Sequence, residues 1–163
     1  STSMAGAPPR GGLPKVDNMR VAIVAARWNA HINDRLTEGA LTVFRNEGFD
    51  MDEDVKVLHV PGAVELTFAA SQLIESSLFD AVIVFGTVIR GDTPHFDYVC
   101  QSVTQGVAAL NADCDIPVIF GVLTVENEQQ ALDRAGGPLG NKGAEAAEAA
   151  IHMVDFARKV KDM

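Results

Sequence analysis

Residues 81–99 read AVIVFGTVIRGDTPHFDYV. The first six, AVIVFG, are continuously apolar, as expected for a strand of a parallel sheet covered on both faces. Gly91-Asp92-Thr93-Pro94 then interrupts the run. From about Phe96 a helical pattern begins, with Val99, Val103, Val107 and Leu110 along one side. A buried strand leading into an amphipathic helix is the repeating half of a βαβ unit, and the rest of the chain can be read against it.

Three further apolar runs repeat the arrangement. VAIVAA (21–26) precedes Ile32, Leu36, Ala40 and Val43 at helical spacing, stopped by Gly48. VKVLHV (55–60), broken by Pro61-Gly62, precedes a helical stretch over 64–77. Pro117 opens VIFGVLT (118–124). Asn127 with Gln130 three residues on resembles a capping box, which starts a short helix ending at Gly136-Gly137. The Ala- and Glu-rich stretch from Gly143 onward is strongly helical. This order predicts an α/β fold: a three-layer αβα sandwich around a central, mostly parallel four-stranded sheet of flavodoxin-like type. Residues 16–163 are expected to form one domain, and residues 1–15 a flexible N-terminal arm.

Composition narrows the function classes. Of 163 residues, 47% are hydrophobic and 21% charged, the balance of a globular protein. A net charge of −9 is a poor footprint for nucleic acid, whose binding rests on phosphate neutralisation. No apolar run approaches the roughly 20 residues of a membrane helix. The first residues lack a signal-peptide core, so a cytoplasmic location is expected. Cys100 and Cys114 form no ligand cluster and read as free thiols in a reducing compartment. Cys100, at helical spacing with Val103 and Val107, is expected in the core. No two histidines have the i, i+4 spacing of a metal pair, so no metal site is expected. No cofactor fingerprint is present.

Ligands of open α/β sheets bind at the carboxyl ends of the strands, and residues that packing does not demand follow each predicted strand. Arg27-Trp28-Asn29 follows the first, Pro61-Gly62-Ala63-Val64-Glu65 the second, and Arg90 to His95 the third; the fourth contains Phe120. Each has two readings. Gly91-Asp92-Thr93 could cradle an anion at a helix N-terminus, or Thr93 could be an ordinary N-cap with Pro94 at the first helical position. His95 falls in the first helical turn, where the dipole favours a neutral imidazole able to accept a proton. His31, His59 and His152 have no supporting neighbours in sequence and read as locally satisfied. Trp28 could stack on a planar heterocycle or anchor packing. Glu65 could accept from ligand hydroxyls or complement its helix N-terminus. Arg90, Arg134 and Lys142 are the candidates for gripping a phosphate; Arg134 equally suits the C-terminal dipole of its short helix.

Taken in order, ARWN, VPGAVEL, GTVIRGDTPHFDYV, PVIFGVLT, QALDRAG and GNKG resemble the lumazine synthase family, from about Val16 onward. The resemblance implies a cofactor-free condensation of 5-amino-6-ribitylaminouracil with 3,4-dihydroxy-2-butanone 4-phosphate to 6,7-dimethyl-8-ribityllumazine, releasing phosphate and water. Trp28 then looks like the ring that stacks on the pyrimidine. Ala63, Val64 and Glu65 match the ribityl-binding segment, and Thr87, Val88 and Ile89 the backbone that reads the uracil edge. Phe120 matches an aromatic from a neighbouring subunit. Asp92, Thr93 and Arg134 match the butanone-phosphate site, and His95 the proton-transfer residue. Lys142 lies in a matching motif without an assigned role.

The resemblance also implies a homopentamer with active sites at subunit interfaces, or a decamer or icosahedral shell of 60 copies built on it. A segment around Val16 to Met19 would add to a neighbour's sheet. Two rival readings are a shell-forming binder of flavins or lumazines without turnover, and a flavodoxin-like electron carrier. The combination of Trp28, Glu65, Thr93, His95 and Arg134 favours the enzyme.

Overall fold

A computed structural model describes residues 12–163. The four sheet strands are β1 (Val21–Ala26), β2 (Val55–Val60), β3 (Ala81–Ile89) and β4 (Val118–Val125). They lie in the order β2-β1-β3-β4, every neighbouring pair parallel. The helices are α1 (Ala30–Asn46), α2 (Leu66–Glu75), α3 (His95–Asp113), α4 (Glu128–Arg134) and α5 (Lys142–Lys161). A small antiparallel hairpin, β5 (Ala135–Gly137) and β6 (Gly140–Asn141), joins α4 to α5.

The period-2 alternation of a strand explains the layering. Val21, Ile23 and Ala25 of β1, with Ala81, Ile83 and Phe85 of β3, pack under α1, α4 and α5. Val24 of β1, with Val82 and Val84 of β3, packs under α2 and α3. Both faces of the central strands are therefore covered, which is why β1 is apolar at all six positions and fully buried. The expected three-layer parallel sandwich is what the chain forms. No helix among the described residues is long and apolar enough to cross a membrane.

Several local expectations are corrected. Strand β3 continues three residues beyond Gly86, because β4 runs to Val125 and carries the ladder on to Ile89↔Val125. The helix expected from residue 64 begins as a 3-10 turn over Ala63–Glu65 before α2 proper. At α4, the Asn127 side chain accepts from the Gln130 N–H at 2.9 Å, but Gln130 Oε1 reaches the Glu126 N–H instead of closing a reciprocal box. Helix α5 is capped by Asn141, whose Oδ1 accepts from Gly143 and Ala144 at 2.7 and 3.0 Å. A Cβ at Gly143 would collide with the main chain of Leu36, so this glycine lets α5 close onto α1. Cys100 is only half-buried and lies outside both core clusters, because that flank of α3 is not covered within the chain.

The arm expected over residues 1–15 lies mostly outside the described residues. Within them, Leu13 and Val16 pack against the core. Met19, 1% exposed, is itself a core residue of its own chain.

Candidate active site

After β1 the chain passes to α1 on one face of the sheet, and after β3 to α3 on the other. The two connections diverge and leave a crevice at the carboxyl ends between β1 and β3, the switch point where such sheets bind ligands. A cleft of about 510 Å³ occupies this place. Trp28 and Asn29 line it from the end of β1, Ala63, Val64 and Glu65 from the 3-10 turn after β2, and Thr87, Val88 and Ile89 from β3. Gly91, Thr93, His95, Phe96 and Val99 complete it from the following loop and α3.

One wall is an aromatic face held by close backbone approach. The Trp28 side chain is 70% exposed and rests against Gly62, where an added Cβ would lie 2.5 Å from indole Cε3. Only glycine leaves room for the ring in this position. Glu65 turns back so that Oε1 accepts from the Gly62 N–H at 2.9 Å.

The floor is an overhanging strand. Pairing of β3 with β1 ends at Ala25↔Phe85, whereas pairing with β4 continues to Ile89. Residues past Phe85 therefore have no strand on the β1 side. There the Thr87 C=O accepts from Asn29 Nδ2 at 3.0 Å, and strand alternation directs the Ile89 main chain to the same edge. Asn29 reaches this bond by adopting a left-handed conformation, φ 66°, which asparagine tolerates better than most residues. Behind it, fully buried Asn33 donates to Ala26 O and Trp28 O at 2.8 and 3.0 Å and accepts from Thr87 Oγ1 at 2.7 Å. The sequence placed Asn29 after the first strand without giving it a role, and gave no sign of Asn33. A left-handed-tolerant residue just past a strand was the available signal for the first, whereas the partners of Asn33 lie up to 54 positions away.

The third wall is the start of α3. Pro94 already has helical dihedrals (φ −66°), and the Thr93 hydroxyl accepts from the His95 N–H at 3.4 Å. The first helical bonds, from the Asp97 and Tyr98 N–H groups, go to the Pro94 carbonyl, which makes Pro94 the cap residue one position after the expected Thr93. His95 is exposed in the cleft. Arg90, which bridges the end of β3 and this helix, donates from Nε to Glu126 at 3.0 Å and lies 3.7 Å from Asp97. The Glu126 hydrogen bond, with both carboxylates adding, holds its guanidinium more firmly protonated than usual. Burial pushes the Cys100 thiol up, Asp97 adds to that, and Arg90 opposes it.

Other residues singled out in the sequence lie elsewhere. Asp92 is exposed and does not line the cleft. Phe120, 40% exposed on β4, and Arg134 at the end of α4 do not line it within one chain. Arg134 donates to Gln130 O at 2.8 Å, a carbonyl of its own helix. Lys142 pairs with Glu145 at 3.2 Å. His31 does have a partner, Glu128 at 2.7 Å, supplied from a helix 97 positions away. Among the described residues, no group of three or more His, Cys, Asp or Glu is placed to hold a metal ion.

These features define a flavodoxin-like α/β protein with a small-molecule-sized cleft at its switch point. The family model for 6,7-dimethyl-8-ribityllumazine synthase matches residues 18–158. The chain is 52% identical over 149 residues to the 6,7-dimethyl-8-ribityllumazine synthase of Phocaeicola vulgatus, covering 91% of this chain and 88% of the relative. It is 54% identical over 138 residues to that of Bacteroides fragilis, covering 85% and 96% respectively. With that of Parabacteroides distasonis it shares 52% over 145 residues, covering 89% and 90%. The chain belongs to the 6,7-dimethyl-8-ribityllumazine synthase family, a family of enzymes.

Proposed function

We propose that this cleft condenses 5-amino-6-ribitylaminouracil with 3,4-dihydroxy-2-butanone 4-phosphate, giving 6,7-dimethyl-8-ribityllumazine, phosphate and water. The observation that carries the reading is the meeting of Trp28, the open edge of β3 and His95 around one cleft. The pyrimidine stacks on Trp28 with its polar edge against the main chain of Thr87, Val88 and Ile89. The ribityl chain runs along Ala63, Val64 and Glu65, whose free carboxylate oxygen accepts from its hydroxyls. The phosphate of the second substrate lies by Thr93 and the amides of the loop containing Asp92.

Amine attack on a ketone, loss of phosphate and ring closure each move protons between groups the substrates already carry. Holding two reactants in register supplies much of the acceleration, and His95 shuttles the protons. The residues need no cofactor for this chemistry.

Phe120 and Arg134 belong to the same site through a neighbouring subunit, in a homopentamer that can assemble further. The apolar surface supports assembly: Val57 and Leu58 on the edge strand β2, Phe68 and Phe156 are 37%, 42%, 70% and 60% exposed. Two unpaired thiols suit a cytoplasmic location. Incubating the purified protein with both substrates and following lumazine fluorescence tests the reading. A rate no greater than the uncatalysed one would overturn it in favour of a binder.

A further inference from the structure

The loop that delivers His95 to the cleft is weakly tied by its own backbone. Among the described residues, no main-chain hydrogen bond joins residues 91–93 to another segment. The last anchor before them is the Arg90 N–H to Val125 O at 2.9 Å. The first after them are the Asp97 and Tyr98 N–H groups to Pro94 O at 3.0 and 3.4 Å, within the helix start itself. A Cβ at Gly91 would meet nothing within 4 Å, and residues 91–93 are all exposed.

One side chain spans the gap. Arg90 donates from Nε to Glu126, just past the end of β4, and sits 3.7 Å from Asp97 in the first turn of α3. Its guanidinium carbon lies 4.4 Å from the centroid of the Phe96 ring, the residue next to His95 and itself part of the cleft lining. A guanidinium suits this task because its planar fork bonds a carboxylate on an edge while its face stacks on a ring. Arg90 is thus engaged with the protein through Nε and the face of its guanidinium.

We propose that Arg90 is a positioning residue: by tying the end of β4 to Phe96 and Asp97, it fixes the first turn of α3 and so the place of His95. This rests on the reading of His95 given above. Exposed ion pairs contribute little to global stability, so the effect belongs in turnover and local order, not in melting temperature.

Arg90→Met, Arg90→Lys and Glu126→Gln test it, against His95→Ala as reference. Arg90→Met should lower kcat about 10-fold with the pyrimidine KM within about twofold, and any rise in the phosphate KM should be smaller than the loss in kcat, since Thr93 and the loop amides loosen together with the base. Arg90→Lys should recover only part, for want of the fork. Arg90→Met added to His95→Ala should cost nothing further, because the two act through one group. In hydrogen exchange, the amides of His95, Asp97 and Tyr98 should exchange about 10-fold faster in Arg90→Met.

An unchanged kcat with unchanged exchange would overturn the proposal. So would a rise in the KM for the phosphate substrate larger than the loss in kcat, which would make Arg90 a phosphate ligand. Should Arg90→Met fail to fold, Glu126→Gln decides: faster exchange at those amides supports the clamp, and unchanged exchange overturns it. If wild type turns over no substrate, or His95→Ala costs nothing, the functional reading fails. Exchange still judges the clamp.

Discussion

His95 and Arg134 make different demands on the same reaction. An imidazole that moves protons acts on the chemical step, and losing it typically costs 10²-fold or more. Where orientation supplies much of the rate, the loss sits at the low end of that range. His95→Ala should therefore slow turnover by about 100-fold with substrate binding and assembly intact; an unassembled variant would show a structural role instead. Arg134 is expected to hold charge. Arg134→Ala should raise the KM for the butanone phosphate by roughly 10- to 100-fold, the loss of one charge-assisted bond, with little change for the pyrimidine. Equal losses for both substrates would assign it to the C-terminus of α4, where it donates to Gln130 O.

At the level of elements, the cleft depends on two strand ends of unequal length and on the buried amide that joins them. Asn33 connects Ala26 and Trp28, at the end of β1, with the Thr87 hydroxyl on β3. Asn33→Ala strands the buried Ala26 carbonyl and Thr87 hydroxyl and frees the partly buried Trp28 carbonyl, at a cost of about 1–3 kcal/mol. Urea unfolding should show a lower midpoint with an unchanged slope. The pyrimidine KM should rise as well, because Trp28 loses the bond to its carbonyl. A variant as stable as wild type would mean that water or a neighbour replaces the amide.

For the whole molecule, the proposed reaction places Phe120 and Arg134, which do not line the cleft of their own chain, at the cleft of a neighbouring copy. In a ring with one kind of head-to-tail contact, each site takes His95 from one chain and Arg134 from the next. Co-assembling His95→Ala chains with Arg134→Ala chains in equal amounts should then restore native composition to about a quarter of the sites. Recovery of activity above the sum of the two parents measures this by lumazine fluorescence. No recovery would mean that both residues serve the same chain's cleft.

Elements with a local cause were legible in the sequence. The apolar run of β1, the spacing of Ile32, Leu36 and Ala40, and the N-cap of α4 at Asn127 each follow from residues within a few positions of one another. So did the clustering of distinctive residues after the strands, since a parallel sheet puts every carboxyl end on one side. Interactions between distant residues were not legible. The length of β3 depended on how far β4 ran beside it, the partner of His31 on where α4 packed, and the clamp at Arg90 on Glu126 lying 36 positions away. Periodicity fixes which face of an element is apolar, because it is a property of one stretch of chain. Which elements meet, and which side chains then close a site, is set only when the sheet brings remote segments within reach of a hydrogen bond.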